Sequence, residues 1–166
     1  MKIRKLEKND SFQLDELIDI TESTLSNKEF WLPLKETAKN HFFDDEWTEF
    51  YGMFDGDKLI GAAALFFDEY EYGESLAQLN ISVGRVAEIG RAMVHPDYRG
   101  NNFLYSINLQ LKEIAEKKSI EMLLATIHPD NIASRKSFEK LGMQKQCTYK
   151  KSQGFMRDIF TLYLNR

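Results

Sequence analysis

Hydrophobic and polar positions repeat with two different periods along this chain, and the switches between them mark out its elements. "MKIRKL" alternates as a short strand does, and "SFQLDELIDITESTL" brings Phe12, Leu14, Leu17, Ile18 and Leu25 round at roughly helical spacing. A second helix is expected after Pro33, within "WLPLKETAKNHFF". "EFYGMF" and "KLIGAAALFF" flank "DGD", a tight Gly-containing turn that joins two antiparallel strands. Residues 68 to 84, "DEYEYGESLAQLNISVG", read as an acidic, tyrosine-rich connection, too long for a hairpin loop and of the kind that is functional or mobile.

"RVAEIGRAMV" reads as a strand ending at His95-Pro96, and Phe103, Ile107, Leu111 and Ile114 then form a helical stripe with Lys117 and Lys118 at its C-terminal end. "IEMLLATI" is an apolar strand of the type buried on both faces, and "DNIASRKSFEKLG" a short helix stopped by Gly142. "QKQCTYK" and "RDIFTLYL" supply two last strands. The resulting order, β, α, α, β, β, β, α, β, α, β, β, predicts a mixed sheet with helices on its faces.

Composition narrows the picture only a little. The 166 residues fit one domain, and 43% hydrophobic with 29% charged residues is ordinary for a soluble globular protein. A net charge of −4 without a basic stripe argues against a nucleic-acid partner. Cys147 is the only cysteine, so no disulfide framework or thiolate metal cluster is expected, and the thiol is expected as a small buried hydrophobe. "MKIRKLEKND" lacks the apolar core of a signal peptide, and "LIGAAALFF" is too short to span a bilayer. A cytoplasmic protein without a membrane partner is the expectation. His95 and His128 each precede a proline with no third ligand suggested, so no metal is expected.

Candidate chemistry concentrates in "HPDYRGNNFLYSINLQL". A strand that delivers a loop to a helix N-terminus presents unpaired N–H groups and the positive end of the helix dipole. "RGNN" adds a cation, one glycine and two residues that tolerate left-handed backbone. By itself this also fits an ordinary loop with a helix cap. It is neither a Walker loop nor a dinucleotide fingerprint.

With "HPDNIASRKSFEKLGM" following about one strand later, the sequence closely resembles the Gcn5-related N-acetyltransferase (GNAT) superfamily. Those enzymes carry a strand, a loop of the form Arg/Gln-x-x-Gly-x-Gly/Ala, a helix, a strand, and an Asn-headed helix ending in "EKLGF". The match is strong over the C-terminal half, and the first half agrees in element order. The resemblance implies a single α+β domain over residues 1–166, with a central mixed, mostly antiparallel sheet, about four flanking helices, and a coenzyme cleft between splayed parallel central strands. It implies acetyl-CoA as co-substrate, an amine acceptor that is a small molecule or a peptide or protein, and a monomer or homodimer.

Residue by residue, the resemblance puts the pantetheine arm along Ala92, Met93 and Val94, with the Met93 or Val94 amide as oxyanion donor. The pyrophosphate would sit on amides from Arg99 through Gly100, Asn101, Asn102, Phe103 and Leu104 to Tyr105. Asn102 and Leu104 replace the loop's glycine and its glycine or alanine; Asn bears a positive φ well, and Leu104 is expected to turn into the core. Asn131 and Ser134 match positions that contact the coenzyme, although Asn131 could equally cap its own helix. Glu88 is the candidate general base, its pKa raised by desolvation in an apolar strand. The family's usual acid is a tyrosine at the position of Phe138, so no acid is assigned; Tyr105, Tyr149 and Tyr163 are the alternatives. Asp68, Glu69, Tyr70 and Glu71 are candidates for holding a cationic amine, or are a solvated acidic loop. Two other readings stay open: a coenzyme-binding module without catalysis, and, because "EIGR" is also similar to acyl-amino-acid and lactone synthases, an acyltransferase using a longer chain.

Overall fold

The computed structural model describes residues 1–34 and 36–164. Among them are seven strands: β1 Lys2–Lys5, β2 Thr48–Asp55, β3 Lys58–Phe66, β4 Val86–Val94, β5 Met122–Ile127, β6 Gln144–Lys150 and β7 Met156–Tyr163. They form one sheet in the order β1-β2-β3-β4-β5-β7-β6, antiparallel throughout except for the central β4–β5 pair. The expected mixed, mostly antiparallel sheet is therefore what the chain forms. The "DGD" turn joins β2 to β3 as anticipated, with Gly56 at φ 59.

Four α-helices flank the sheet: α1 Ser11–Ser23, α2 Glu69–Leu79, α3 Phe103–Lys117 and α4 Ile132–Leu141. The stripe read from the sequence gives α3 its buried face. Ile107 and Leu111 pack with Phe138 and Leu141 of α4 over Ala87, Ile89, Leu123 and Ala125. A side chain as fully buried as Leu111 contributes about 2 kcal/mol of hydrophobic stabilisation. On the opposite face, Leu14, Leu17 and Ile18 of α1 cover Phe50, Ala62, Ala64 and Phe66. Beside them Tyr72 of α2 covers Val86, Met122 and Leu124. Gly142 ends α4 at φ 104, as the C-cap reading required.

Three expectations need correction. Residues 68 to 84 are not a loop: Tyr72, Leu76 and Leu79 recur at helical spacing and pack on the sheet as part of α2, capped by Asp68, whose carboxylate accepts the Tyr70 amide at 2.8 Å. The helix expected after Pro33 is instead a single 3₁₀ segment, Glu36–His41, with Lys35 outside the described residues. Ala38 of that segment and Leu34 and Phe42 on either side of it lie against the α1 cluster, a contact that helical propensity alone does not encode. Cys147 is only half-buried, on the rim of the α2 cluster. No helix among the described residues is long and apolar enough to cross a membrane.

Candidate active site

The two parallel strands part company early. They pair only at Val86–Met122, Ala87–Leu123 and Glu88–Leu124; beyond that point β4 stays with β3 and β5 stays with β7. A bulge drives β4 away. Ala64 lies opposite Gly90 and Ala62 opposite Met93, so β4 spends three residues where β3 spends two, and Arg91 takes a left-handed φ of 50. The gap opens into a cavity of about 720 Å³ that reaches from the start of α3 to the segment following α1.

At one end the cavity is bordered by Ala92, Met93, Val94, Arg99, Gly100, Asn102, Phe103, Leu104, Tyr105, Asn131 and Ser134. Here the strand edge facing β5 carries no partner strand. The His95 amide donates to Ile60 O at 2.7 Å, and Met93 stands opposite Ala62. Amides of an antiparallel strand alternate sides, so the Met93 N–H is turned into the β3 ladder and the Val94 N–H faces the cleft. Of the two main-chain donors read from the sequence, only Val94 is aimed at the cavity.

The loop behind this edge turns on two left-handed residues, Gly100 at φ 83 and Asn102 at φ 59. Asn102 is the N-cap of α3 but gives no side-chain bond to the first turn, which leaves the amides of Phe103, Leu104 and Tyr105 unbonded at the helix's positive end. Such an arrangement can cradle an anion. Asn101 is exposed and holds the loop instead, its Nδ2 donating to Tyr98 O at 3.0 Å. Leu104 does not turn into the core as expected: it lies in line with Leu111 but two turns earlier, at the open end of α3 where the cleft begins, so it is half-buried and borders the cavity. Asn131 caps α4, its Oδ1 accepting the Ser134 amide at 3.3 Å, while both residues still border the cavity.

Glu88 sits at the branch point of the two strands. It is 8% exposed, borders the cavity, and its Oε2 has no hydrogen-bond partner. Desolvation pushes its pKa up to about 8; Glu71 pushes the same way, while Lys151 and Arg91 oppose the rise. Phe138 is buried and borders the cavity without a proton to give. Of the alternative acids, Tyr149 is tied to Ser75 Oγ at 2.6 Å, with its pKa pushed up to about 12 by burial, and Tyr163 is exposed elsewhere on β7. Neither borders the cavity, whereas Tyr105 does.

At the cavity's other end the acidic stretch divides. Glu71 borders it, but Asp68 is spent on the α2 cap, and Glu69 and Tyr70 face solvent. Residues the sequence reading passed over take their place: Trp31, Arg91, Lys151 and Arg157. Arg91 Nη1 donates to Leu32 O at 2.6 Å with its guanidinium 4.9 Å from the Trp31 ring, and Arg157 Nη2 donates to Glu29 O at 2.6 Å. Burial lowers the pKa of both arginines. The available signal was a charged residue at the head of an otherwise apolar strand, "RDIFTLYL".

A family model described as "Acetyltransferase (GNAT) family" matches residues 14–143. No curated protein matches the sequence. Among solved structures, a probable acetyltransferase from Staphylococcus epidermidis superposes with a TM-score of 0.76 at 16% identity, covering 99% of each chain. The ribosomal-protein-S18-alanine N-acetyltransferase from Escherichia coli gives 0.72 at 17% identity over 99% of this chain and 94% of that one. The Salmonella typhimurium protein yncA, solved with its cofactor acetyl-CoA, gives 0.73 at 15% identity over 100% and 95%. At such identities the superpositions speak for the fold.

Proposed function

The chain belongs to the acetyltransferase (GNAT) family, and from that premise we propose that it moves the acetyl group of acetyl-CoA to an amine by direct attack, both substrates being bound together. The observation that carries this is the single cavity in which Glu88, buried and with Oε2 unpartnered, lies beside the free edge of β4 and the Val94 amide. The coenzyme fits the residues present. Its pyrophosphate would lie on the unbonded amides of Phe103 to Tyr105, its pantetheine arm would pair with Ala92 to Val94, and Asn131 and Ser134 would flank it.

The chemistry follows from the groups in place. An amine arrives as an ammonium and must lose a proton before its lone pair can attack. Glu88, ionised in about one molecule in ten at pH 7, takes that proton with a basicity well matched to the task. The nitrogen then bonds to the thioester carbonyl carbon, whose oxygen gains negative charge that the Val94 N–H stabilises. The C–S bond breaks, the nitrogen passes its second proton to water with the collapse, and Glu88 returns the first to solvent. The thiolate of a group with an ordinary pKa of about 8.5 departs without an enzymic acid and takes a proton from water.

Thiol release from acetyl-CoA with a panel of amines tests the proposal, and Glu88→Gln should lower kcat/KM by about 100-fold or more. An unchanged rate and pH profile in that variant would remove Glu88 from the mechanism. Phe138 in place of an acid favours a second reading, a coenzyme-binding module. Calorimetric binding of acetyl-CoA with no thiol release for any amine would establish that module, and much tighter binding of long-chain acyl thioesters would point to a longer acyl donor.

A further inference from the structure

Arg157 is 2% exposed, heads the largest fully buried side chains, and borders the cavity. Its neighbour Asp158 points to the α4 side of the sheet, toward Arg135 and Lys145, so Arg157 points to the face that also carries Glu88. Burying a guanidinium is unfavourable unless acceptors or an anion replace its water. Arg157 has two acceptors, Met156 O at 2.7 Å and Glu29 O at 2.6 Å, for its five N–H donors, and makes no ion pair with any described residue. Arg91 repeats the arrangement: one bond to Leu32 O, and no ion pair with a described residue. Both arginines are thus oriented by carbonyls of one short segment, 29 to 32, with no carboxylate of a described residue in contact; Glu71, Glu88 and Glu22 act on Arg91, and Glu29 on Arg157, only through space.

The charges around the acceptor end are consequently sorted. Glu71 and Glu88 suit an amine, and Arg91 and Arg157, with Lys151 beside them, suit an anion. Two carbonyl bonds would hold the 29–32 segment just as well if each arginine also touched a carboxylate of the protein, so holding that segment does not account for the absence of a contact ion pair. A ligand that brings its own anion does.

We propose that the acceptor amine carries a negatively charged group, a carboxylate or a phosphate, which seats on Arg157 and Arg91 while the amine faces Glu88. This rests on the acetyl-transfer reading and narrows it to acceptors such as amino acids, a peptide bearing a nearby carboxylate, or aminoalkyl phosphates. A planar guanidinium offers both oxyanions paired N–H donors, so the shared chemistry is fixed while the source is left to the assay.

The test pairs each anionic amine with a neutral twin. Thiol release from acetyl-CoA is followed with free amino acids against their amides, with dipeptides against dipeptide amides, and with aminoethyl phosphate against aminoethanol. The anionic member should show at least tenfold higher kcat/KM, and whether carboxylates or phosphate lead identifies the source. Arg157→Met and Arg91→Met should raise KM for the anionic member at least tenfold, reduce the preference over the twin, and leave the calorimetric Kd for acetyl-CoA unchanged. Equal or better turnover of the neutral twins overturns the proposal, as does a chain that binds acetyl-CoA but uses no anionic amine. Should Arg157→Met fail to fold, the wild-type ratios still decide. Failure to bind acetyl-CoA at all would strike the acetyl-transfer reading instead, so the two failures are distinguishable.

Discussion

Replacing Glu88 by glutamine should make the protein more stable at the same time as it disables it, and the gain should grow with pH. Burial lifts the carboxyl from an ordinary value of 4.5 to about 8 in the folded chain. Between those two values the folded state holds a proton that the unfolded state has released. Stability of the wild type is therefore fullest below about pH 4.5 and is lost as pH rises through about 8. Each unit of difference is about 1.4 kcal/mol, so the loss is on the order of 3 kcal/mol at pH 7 and levels off near 5 kcal/mol above pH 8. Glutamine has nearly the same shape and never ionises, so Glu88→Gln escapes this penalty. Urea unfolding of both proteins at pH 5, 7 and 9 measures it, with a midpoint difference small at pH 5 and widening to pH 9. A difference that does not vary with pH, or a wild type more stable at pH 9, would refute the burial argument. The same ionisation sets activity: kcat/KM of the wild type should rise tenfold per pH unit below about 8 and flatten above it.

Other substitutions probe the cradle and the sheet. Asn102→Ala places an ordinary side chain at φ 59 and should cost about 1 kcal/mol in thermal unfolding, whereas Asn102→Gly should be neutral within about 0.5 kcal/mol. Leu104→Ala removes bulk from the cavity wall at the first turn of α3 and should tighten acetyl-CoA binding severalfold by calorimetry; weaker binding would make Leu104 a contact rather than an obstruction. Asp158→Ala strips a fully buried carboxylate from Thr148, Arg135 and Lys145 and should cost about 3 kcal/mol in urea unfolding, leaving acetyl-CoA affinity unchanged.

Most of the architecture was legible because short-range patterns encode it. Alternation gave β1, a hairpin turn between apolar runs gave β2 and β3, short apolar stretches gave the other strands, and the Ile107–Leu111 stripe gave α3. The pattern failed where burial is divided unevenly: α2 keeps only Tyr72 and Ser75 well buried among acidic residues, so its stripe is thin, and Gly73 interrupts it. The residues at the α3 end of the cavity, the proposed coenzyme side, could be grouped from sequence because a loop and two helix starts lie within one continuous stretch. Those at the other end, the proposed acceptor side, could not. Arg91, Lys151, Arg157 and Trp31 come from separate elements, and only the sheet order, which puts β7 beside β5, brings them to one wall. Orientation along β4 was also beyond sequence: Gly90 stands at the bulge, but one glycine within a strand does not say which way Val94 beyond it will face.

That bulge gives the strand two reading frames. Upstream of Arg91, Glu88 faces the α1 side of the sheet; downstream, Met93 faces that side again, five residues later, where an unbroken strand would have put it opposite. Glu88 and the cleft-facing amide are therefore held in phase by a count of residues rather than by any one side chain. Substitution at each position of β4 would leave that count intact. Deleting a single residue between Glu88 and Val94 would not, and would exchange every face and every amide downstream at once.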